Sequence, residues 1–66
     1  MIEKGTKVVI GEVVPLKKFN EFVIVDPEQI DYEGQTVTID TYHEFLEAYS
    51  IEEDSGNFLW HEEMFK

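Results

Sequence analysis

Apolar and polar side chains alternate in two short runs near the C-terminus, at residues 49–52 and 57–61. Such alternation is typical of strands that turn one apolar face inward. Between the runs, the Asp54–Asn57 segment predicts a tight turn, because its glycine and terminal asparagine tolerate the positive φ angles that a hairpin requires. The sequence therefore predicts a β-hairpin, followed by a helical turn in which Met64 and Phe65 fold back over the core.

The chain has 66 residues, with one Trp, three Tyr, five Phe and no cysteine. Its length predicts one domain, residues 1–66, and a domain of this size buries only ~60% of the surface that its unfolded chain exposes. The lack of cysteine excludes disulfides and thiolate metal sites and fits a reducing cytoplasm. No apolar N-terminal segment and no run of ~20 apolar residues is visible, so we expect a soluble cytoplasmic protein.

The formal net charge is −10, and it is unevenly distributed. Residues 1–18 hold four lysines and two acidic residues, whereas residues 19–65 hold thirteen acidic residues and no Lys or Arg. Such a surface repels nucleic acid and anionic membranes and attracts basic partners. Acidity that serves only to keep a small domain in solution is the alternative.

Three further segments have the composition of strands. Thr6–Ile10 alternates weakly, and Glu21–Val25 is apolar on both faces, which predicts a short strand covered on both sides. Thr36–Asp40 has the clearest alternation, with its valine and isoleucine pointing inward and its threonines and aspartate pointing outward. Pro27, which lacks only an amide that would be unpaired anyway, predicts a single helical turn or loop after Asp26.

The segment 41–49 allows two interpretations. Four of its apolar residues have the spacing of an amphipathic helix, namely Tyr42, Phe45, Leu46 and Tyr49. A helix this short is below the ~12–15 residues that are marginal in isolation, and the hairpin needs residues 49–51 as a strand. We therefore expect the strand that begins at Thr36 to continue to about Tyr42, with a turn at His43–Glu47 and a strand at Ala48–Glu53.

Two parts of the sequence carry a pattern that matches a known class of proteins. The first is Tyr32-x-Gly34-Gln35-Thr36-Val37-Thr38-Ile39, and the second is Tyr49-x-Ile51-x-Glu53-Asp54-x-Gly56-x-x-x-Trp60-x-x-Glu63-Met64-Phe65. Together they span roughly residues 32–65 and resemble small uncharacterised phage and prophage proteins of Gram-positive bacteria. The resemblance implies an all-β fold, a small five-stranded Src-homology-3-like barrel with a short C-terminal helical turn. It implies no catalytic activity.

Residues that would support catalysis or metal binding lack partners at the required spacing. His43 and His61 are the only side chains that titrate near neutral pH, and the His61 segment lacks the second histidine of a zinc-protease helix. No phosphate-binding glycine loop or Gly-x-Ser-x-Gly motif is present. The consecutive acids of Glu52–Asp54 do not have the alternate spacing of an EF-hand, and a solvated hairpin edge is the alternative to cation binding. We therefore expect no enzyme, no cofactor and no metal site.

The acidic residues nearest the predicted hairpin form the candidate partner-binding site: Glu52, Glu53, Asp54, Glu62 and Glu63. We expect a non-enzymatic phage or prophage accessory protein that binds a protein partner with a basic surface, and that binds neither nucleic acid nor membrane. One alternative is a DNA-mimic inhibitor, whose carboxylates imitate phosphates and occupy the basic groove of a host nuclease, restriction enzyme or RNA-guided defence enzyme. Another is a structural homo-oligomeric subunit, in which the edge strand Phe22–Val25 pairs with a second copy to form a homodimer.

A groove for proline-rich ligands would need several aromatic side chains exposed side by side. Because so small a domain requires most of its aromatic residues in the core, we do not expect such a groove. Phe19, Tyr32 and Tyr42 are the aromatic residues for which we expect the greatest exposure.

Overall fold

The computed structural model describes all 66 residues and contains one antiparallel sheet with very little helix. Its strands are β1 (Lys7–Val9), β2 (Thr36–His43) and β3 (Ala48–Ile51), in the order β1-β2-β3. Two short 3₁₀ helices, Pro27–Tyr32 and Glu62–Met64, complete the regular structure. The structure is thus β-rich, as the sequence predicts, with three regular strands in an open sheet.

The central strand is β2, because it pairs with β1 on one side and β3 on the other. Val37 and Ile39 are fully buried, as their alternation predicts. Thr38 is also buried, although we expected it to face solvent, because the side chains of Glu53 and Lys7 bond to its hydroxyl. Burial along β2 therefore depends on side chains that reach it from other parts of the chain.

The β2–β3 connection distinguishes between the two interpretations of residues 41–49. No helix forms, since β2 ends at His43, a turn occupies residues 44–47, and β3 begins at Ala48. The amides of Leu46 and Glu47 donate to the carbonyls three residues earlier, those of His43 and Glu44, at 3.1 and 3.2 Å. The predicted strand, turn and strand are confirmed, except that β3 ends at Ile51 rather than at Glu53.

The prediction of an extended strand is wrong for the segment Glu21–Val25. Its two valines at positions 23 and 25 are buried, whereas Phe22 and Ile24 are 47% and 52% exposed, so the segment is covered on one face only. Asn20 is the physical reason, because its Oδ1 accepts hydrogen bonds from the amides of Phe22 and Val23 at 2.8 and 2.9 Å. These bonds curl the chain where an extended strand would have to begin.

The helical turn predicted after Asp26 is confirmed as the first 3₁₀ helix, Pro27–Tyr32. Asp26 caps it, since Asp26 Oδ1 accepts from the Glu28 amide at 2.8 Å and the Asp26 amide donates to Gln29 Oε1 at 2.8 Å. Gln29 is buried and donates through Nε2 to the Leu59 carbonyl at 3.0 Å. Gln29 therefore both completes the cap at Asp26 and connects this helix to the C-terminal hairpin.

The C-terminal hairpin forms with a single pair of bridged residues. Tyr49 and Trp60 exchange two backbone hydrogen bonds, of 2.7 and 2.8 Å. The turn lies where the sequence predicts it, but the positive φ angles of 56° and 78° belong to Ser55 and Gly56. Asn57, which we expected to adopt one of them, does not.

Single bridges extend the pairing beyond the three regular strands. Phe65 pairs with Ile10, the residue that follows β1. The second 3₁₀ helix, in which Met64 is buried, lies in the chain between Trp60 and this bridge. The predicted closing turn over the core is therefore confirmed. The predicted strands at 21–25 and 57–61 occur only as single bridges, through Ile24 and Trp60.

The hydrophobic core lies between the sheet and the C-terminal segment. It consists of nine buried residues, namely Ile10, Val13, Val25, Val37, Ile39, Tyr49, Ile51, Trp60 and Met64. Trp60 is the largest fully buried side chain.

A buried hydrogen bond connects this core to the hairpin turn. Asp54 is 3% exposed, and its Oδ2 accepts from the Trp60 indole Nε1–H at 2.9 Å. Its other oxygen, Oδ1, accepts from the Gly56 amide at 2.8 Å. A buried carboxylate is tolerated only when its oxygens are satisfied, so the turn and the tryptophan depend on each other.

We expect Trp60→Phe to lower the free energy of unfolding by at least ~1–3 kcal/mol, because it leaves a buried carboxylate oxygen without its donor. Urea denaturation followed by far-ultraviolet circular dichroism measures this, since the substitution removes the single tryptophan. Asp31→Asn, at an exposed aspartate, is the control and should leave stability unchanged. Equal stability of Trp60→Phe and the control would contradict the role of the Asp54–Trp60 bond.

Candidate protein-interaction surface

The three consecutive acids of the predicted binding site, Glu52–Asp54, have different environments. Both oxygens of Asp54 are occupied inside the protein, as described above. Glu53 Oε1 accepts from the Thr38 amide at 2.8 Å, and Glu53 Oε2 accepts from Thr38 Oγ1 at 2.9 Å. Glu52 alone extends into solvent without a side-chain hydrogen bond or ion pair. The sequence cluster is therefore mostly structural, and one carboxylate of the three is free to contact a partner.

The carboxyl of Glu53 has a lowered pKa. Desolvation opposes its ionisation, but the hydrogen bonds from Thr38 and the positive charge of Lys7 outweigh desolvation and hold the pKa below its ordinary value. Lys7 Nζ itself donates to Thr38 Oγ1 at 2.6 Å. This group of side chains connects β1, β2 and the turn that follows β3.

Glu62 and Glu63, the other two predicted residues, lie exposed in the second 3₁₀ helix. His61 caps this helix, because its Nδ1 accepts from the Glu63 amide at 3.1 Å. The His61 ring also stacks on Phe19, with centroids 4.4 Å apart and the planes within 4° of parallel. His61 therefore fixes where the two carboxylates emerge.

His43 and Ser50 lie next to each other across β2 and β3, a contact that sequence analysis missed. His43 Nε2 is 3.2 Å from Ser50 Oγ. A nucleophilic serine needs an accessible hydroxyl and a third group that orients its base. Ser50 is 6% exposed, its Oγ donates to the Thr41 carbonyl at 3.5 Å, and neither side chain lines a cavity. We interpret the pair as part of the sheet's packing.

Aromatic and acidic side chains gather around the β2–β3 turn. We call this area the turn surface and define it by Phe22, Tyr42, Glu44, Phe45, Glu47 and Glu62.

The turn surface contains two cavities that share Glu47. The first, the Phe cavity of about 220 Å³, is lined by Asn20, Glu21, Phe22, Phe45 and Glu47. The second, the Tyr cavity of about 180 Å³, is lined by Met1, Tyr42, Glu47, Tyr49, His61 and Glu62. Neither cavity is lined by Lys or Arg.

The backbone of Glu47 has an unusual conformation. Glu47 has a φ of 53°, in the left-handed region that non-glycine residues rarely adopt. This conformation closes the tight turn before β3. The Glu47 side chain lines both the Phe cavity and the Tyr cavity.

The acids of the turn surface act electrostatically on Tyr42. Burial from solvent, followed by the nearby Tyr49 and the carboxylates of Glu47, Glu44 and Glu62, raises the pKa of the Tyr42 phenol above its ordinary value. Each of these three carboxylates thus contributes negative potential at one ring. Two of them, Glu44 and Glu47, were not among the residues that the sequence identified as a site.

The exposed aromatic residues are not the ones predicted. Phe19, Tyr32 and Tyr42 are half-buried and pack against the core. The exposed rings are instead Phe45, at 82%, and Phe22, at 47%. The position of Phe45 could have indicated its exposure, since we predicted it to lie in a turn, where side chains face solvent.

Comparison with models of protein families, with curated proteins and with solved structures finds no match for this chain. No helix has the length and apolar character needed to cross a bilayer. No three His, Asp or Glu side chains are grouped so as to hold a metal ion. The turn surface is therefore the feature of the molecule from which a function is inferred.

The Glu53 carboxylate should make stability depend on pH. Because its pKa is lower in the folded chain, its contribution is present above the ordinary pKa of 4.5 and is lost as the pH falls through the folded-state pKa. Glu53→Gln should lower the free energy of unfolding at neutral pH and weaken its decline on acidification. Urea denaturation at a series of pH values measures both effects. Glu52→Gln is the control, and equal effects of the two substitutions would contradict this role of Glu53.

The effect of the nearby carboxylates on the pKa of Tyr42 should be measurable by titrating the Tyr42 phenol. Glu47→Gln and Glu62→Gln should each bring the pKa of Tyr42 closer to its ordinary value of 10.0, because each removes a negative charge nearby. The ring signals of Tyr42 in an NMR titration at alkaline pH report the change. Glu28→Gln, in the first 3₁₀ helix, should have no effect. An unchanged titration in both turn-surface variants would show that these acids do not gather around Tyr42.

Proposed function

We propose that this chain is a non-enzymatic protein that binds a protein partner with a basic surface through its acidic face. The observation that carries the proposal is the turn surface, where Glu44, Glu47 and Glu62 lie beside exposed aromatic rings and no Lys or Arg lines either cavity. Negative potential attracts a basic partner, and exposed rings supply the apolar contact that a specific interface needs. Glu63, next to Glu62 in the second 3₁₀ helix, extends this acidic face, whereas Glu52 follows β3 at the end opposite to the β2–β3 turn.

The proposal includes the setting and the fold that the sequence pattern implies, namely a cytoplasmic phage or prophage accessory protein with a five-stranded Src-homology-3-like barrel. Two single bridges support the barrel, since Tyr49–Trp60 and Ile10–Phe65 join the outer strands to one C-terminal segment. The β2–β3 turn takes no part in these two bridges, and its residues Glu44, Phe45 and Glu47 are exposed.

A DNA-mimic inhibitor of a nuclease, restriction enzyme or RNA-guided defence enzyme is the second candidate. Thirteen acids without Lys or Arg in residues 19–65 favour it. The internal roles of Glu53 and Asp54 reduce the number of carboxylates that could imitate phosphates at the hairpin. A mimic occupies the groove that binds DNA, so DNA should compete with it for the partner, whereas a partner that contacts the aromatic rings need not bind DNA.

A homo-oligomeric structural subunit is the third candidate, and the exposure of Phe22 and Ile24 favours it. The curled backbone there removes the extended edge strand on which we based this possibility. Sedimentation of the purified chain over a range of concentrations distinguishes a dimer from a monomer.

Charge reversal at the turn surface tests the main proposal. Glu47→Lys with Glu62→Lys should abolish capture of basic proteins from a Gram-positive lysate at low salt, because both carboxylates of the Tyr cavity become cations and the remaining carboxylate of the Phe cavity, Glu21, is opposed by a lysine. The matched control is Glu28→Lys with Asp31→Lys, which has the same net charge but alters exposed acids of the first 3₁₀ helix.

The wild type and the control should retain the same partner and release it in a salt step, identified by mass spectrometry. Retention by the turn-surface variant, or equal loss in both variants, would reject the turn surface as the contact. Displacement of the partner by DNA would favour the DNA-mimic candidate.

A further inference from the structure

The two aromatic side chains that leave the most area in solvent lie together in the Phe cavity. Phe45 and Phe22 are 82% and 47% exposed, and their ring centroids are 5.4 Å apart at an angle of 45° between planes. Exposed rings contribute little to the stability of a chain this small, because their apolar area remains in water after folding. Paired exposed rings at one place are typical of the anchors of a binding interface.

The pair is held in place before any partner binds. Asn20 Nδ2 donates to the Leu46 carbonyl at 3.0 Å, next to Phe45 in the turn. Asn20 Oδ1 accepts from the amides of Phe22 and Val23 at 2.8 and 2.9 Å. One side chain therefore ties the loop that carries Phe22 to the turn that carries Phe45, which reduces the entropy lost on binding.

Two carboxylates complete the cavity beside the rings, those of Glu21 and Glu47. Neither accepts a hydrogen bond within the chain, in contrast to Glu33, whose Oε1 accepts from the Val13 amide at 2.8 Å. A neutral apolar occupant would remove water from these carboxylates without replacing its hydrogen bonds, which is unfavourable. The two carboxylates therefore require a cationic occupant. That cation must also have a flat face or an aliphatic chain that can contact the aromatic rings.

We propose that the Phe cavity binds the guanidinium group of an arginine side chain on the basic protein partner, an inference that rests on the proposed function. A guanidinium is planar and weakly hydrated, so it stacks on the rings of Phe22 and Phe45 while its N–H groups donate to Glu21 and Glu47. A lysine ammonium is compact and strongly hydrated and lacks a planar face, which makes it the poorer occupant.

The size of the cavity agrees with this occupant. Its volume is about 220 Å³, which is below the ~300–1,000 Å³ of pockets that enclose drug-sized ligands. It accepts one side chain from a partner that lies across the turn surface. The neighbouring Tyr cavity, with Glu62, adds negative potential without being part of this contact.

Three peptides of the form acetyl-Gly-X-Gly-amide test the inference, with X as arginine, lysine or citrulline. Citrulline has nearly the shape of arginine but no charge. In ¹⁵N-resolved NMR titrations of the full chain, the arginine peptide should shift the amide signals of Phe22, Phe45 and Glu47. The lysine peptide should shift them less, and the citrulline peptide should not. Equal shifts with citrulline, shifts confined to other residues, or no shifts with arginine would each overturn the inference.

Substitutions in the cavity provide the second measurement. Phe45→Ala should weaken binding of the arginine peptide by roughly 3–10-fold, and Glu47→Gln by a similar factor, because each removes one of its contacts. Ile30→Ala is the control, since Ile30 is an exposed apolar residue, at 47% like Phe22, but lines no cavity. The dispersion of the amide spectrum verifies that each variant is folded. Unchanged affinity in Phe45→Ala, or an equal loss in Ile30→Ala, would overturn the site.

The same variants separate failure of this inference from failure of the proposed function. If Glu47→Lys with Glu62→Lys abolishes capture of a basic partner but Phe45→Ala does not weaken it, the proposed function stands and the arginine site is overturned. If the arginine peptide binds in the Phe cavity but the full chain captures no basic protein, the arginine site stands and the proposed function is overturned.

Discussion

The hydrogen bond from the Trp60 indole to the buried Asp54 carboxylate determines how the C-terminal half of this chain is organised. Trp60 fills the centre of the core, and Asp54 begins the turn that leads to it. The second oxygen of Asp54 accepts from Gly56, so the turn has its shape only when the carboxylate is in place. Since the chain has no disulfide, core packing and turn formation must stabilise each other.

The abundant acids of this chain serve two different purposes, and the nearest donors decide which. Where backbone amides, a hydroxyl or an indole lie within reach, as at Glu33, Glu53 and Asp54, the carboxylate is part of the structure. Where no donor is near, as at Glu47 and Glu62, the charge remains available. The number of acidic residues in the sequence is therefore larger than the number of carboxylates that are free to contact a basic partner.

The combination of charge and apolar surface distinguishes the turn surface from a general acidic face. Carboxylates attract any basic protein, and salt weakens that attraction. Exposed rings such as Phe22 and Phe45 add contacts that need a matching side chain, which gives selectivity. The left-handed backbone at Glu47 and the three hydrogen bonds of Asn20 hold this arrangement on a short turn and loop.

Local sequence by itself determined much of the fold. Alternation predicted β2, while turn-forming residues and the apolar C-terminal pair predicted the hairpin turn and the closing turn at Met64. In residues 41–49 the periodicity favoured a helix, and the strand, turn and strand followed instead from the shortness of that segment and the strand required at residues 49–51. The overall acidity was equally evident from composition. The sequence could not show that the Asn20 side chain would curl the Glu21–Val25 segment, because a competing side-chain bond leaves no periodic signal.

Only the tertiary structure decided which charges are free and which rings meet. Asp54 became internal because folding brings Trp60 to it, and Glu53 because β2 brings Thr38. Phe22 and Phe45 are far apart in sequence and adjoin only because a loop packs against the β2–β3 turn. Sequence periodicity reports which side of an element is buried. It does not report which distant donor, ring or carboxylate lies opposite, and that pairing defines the site.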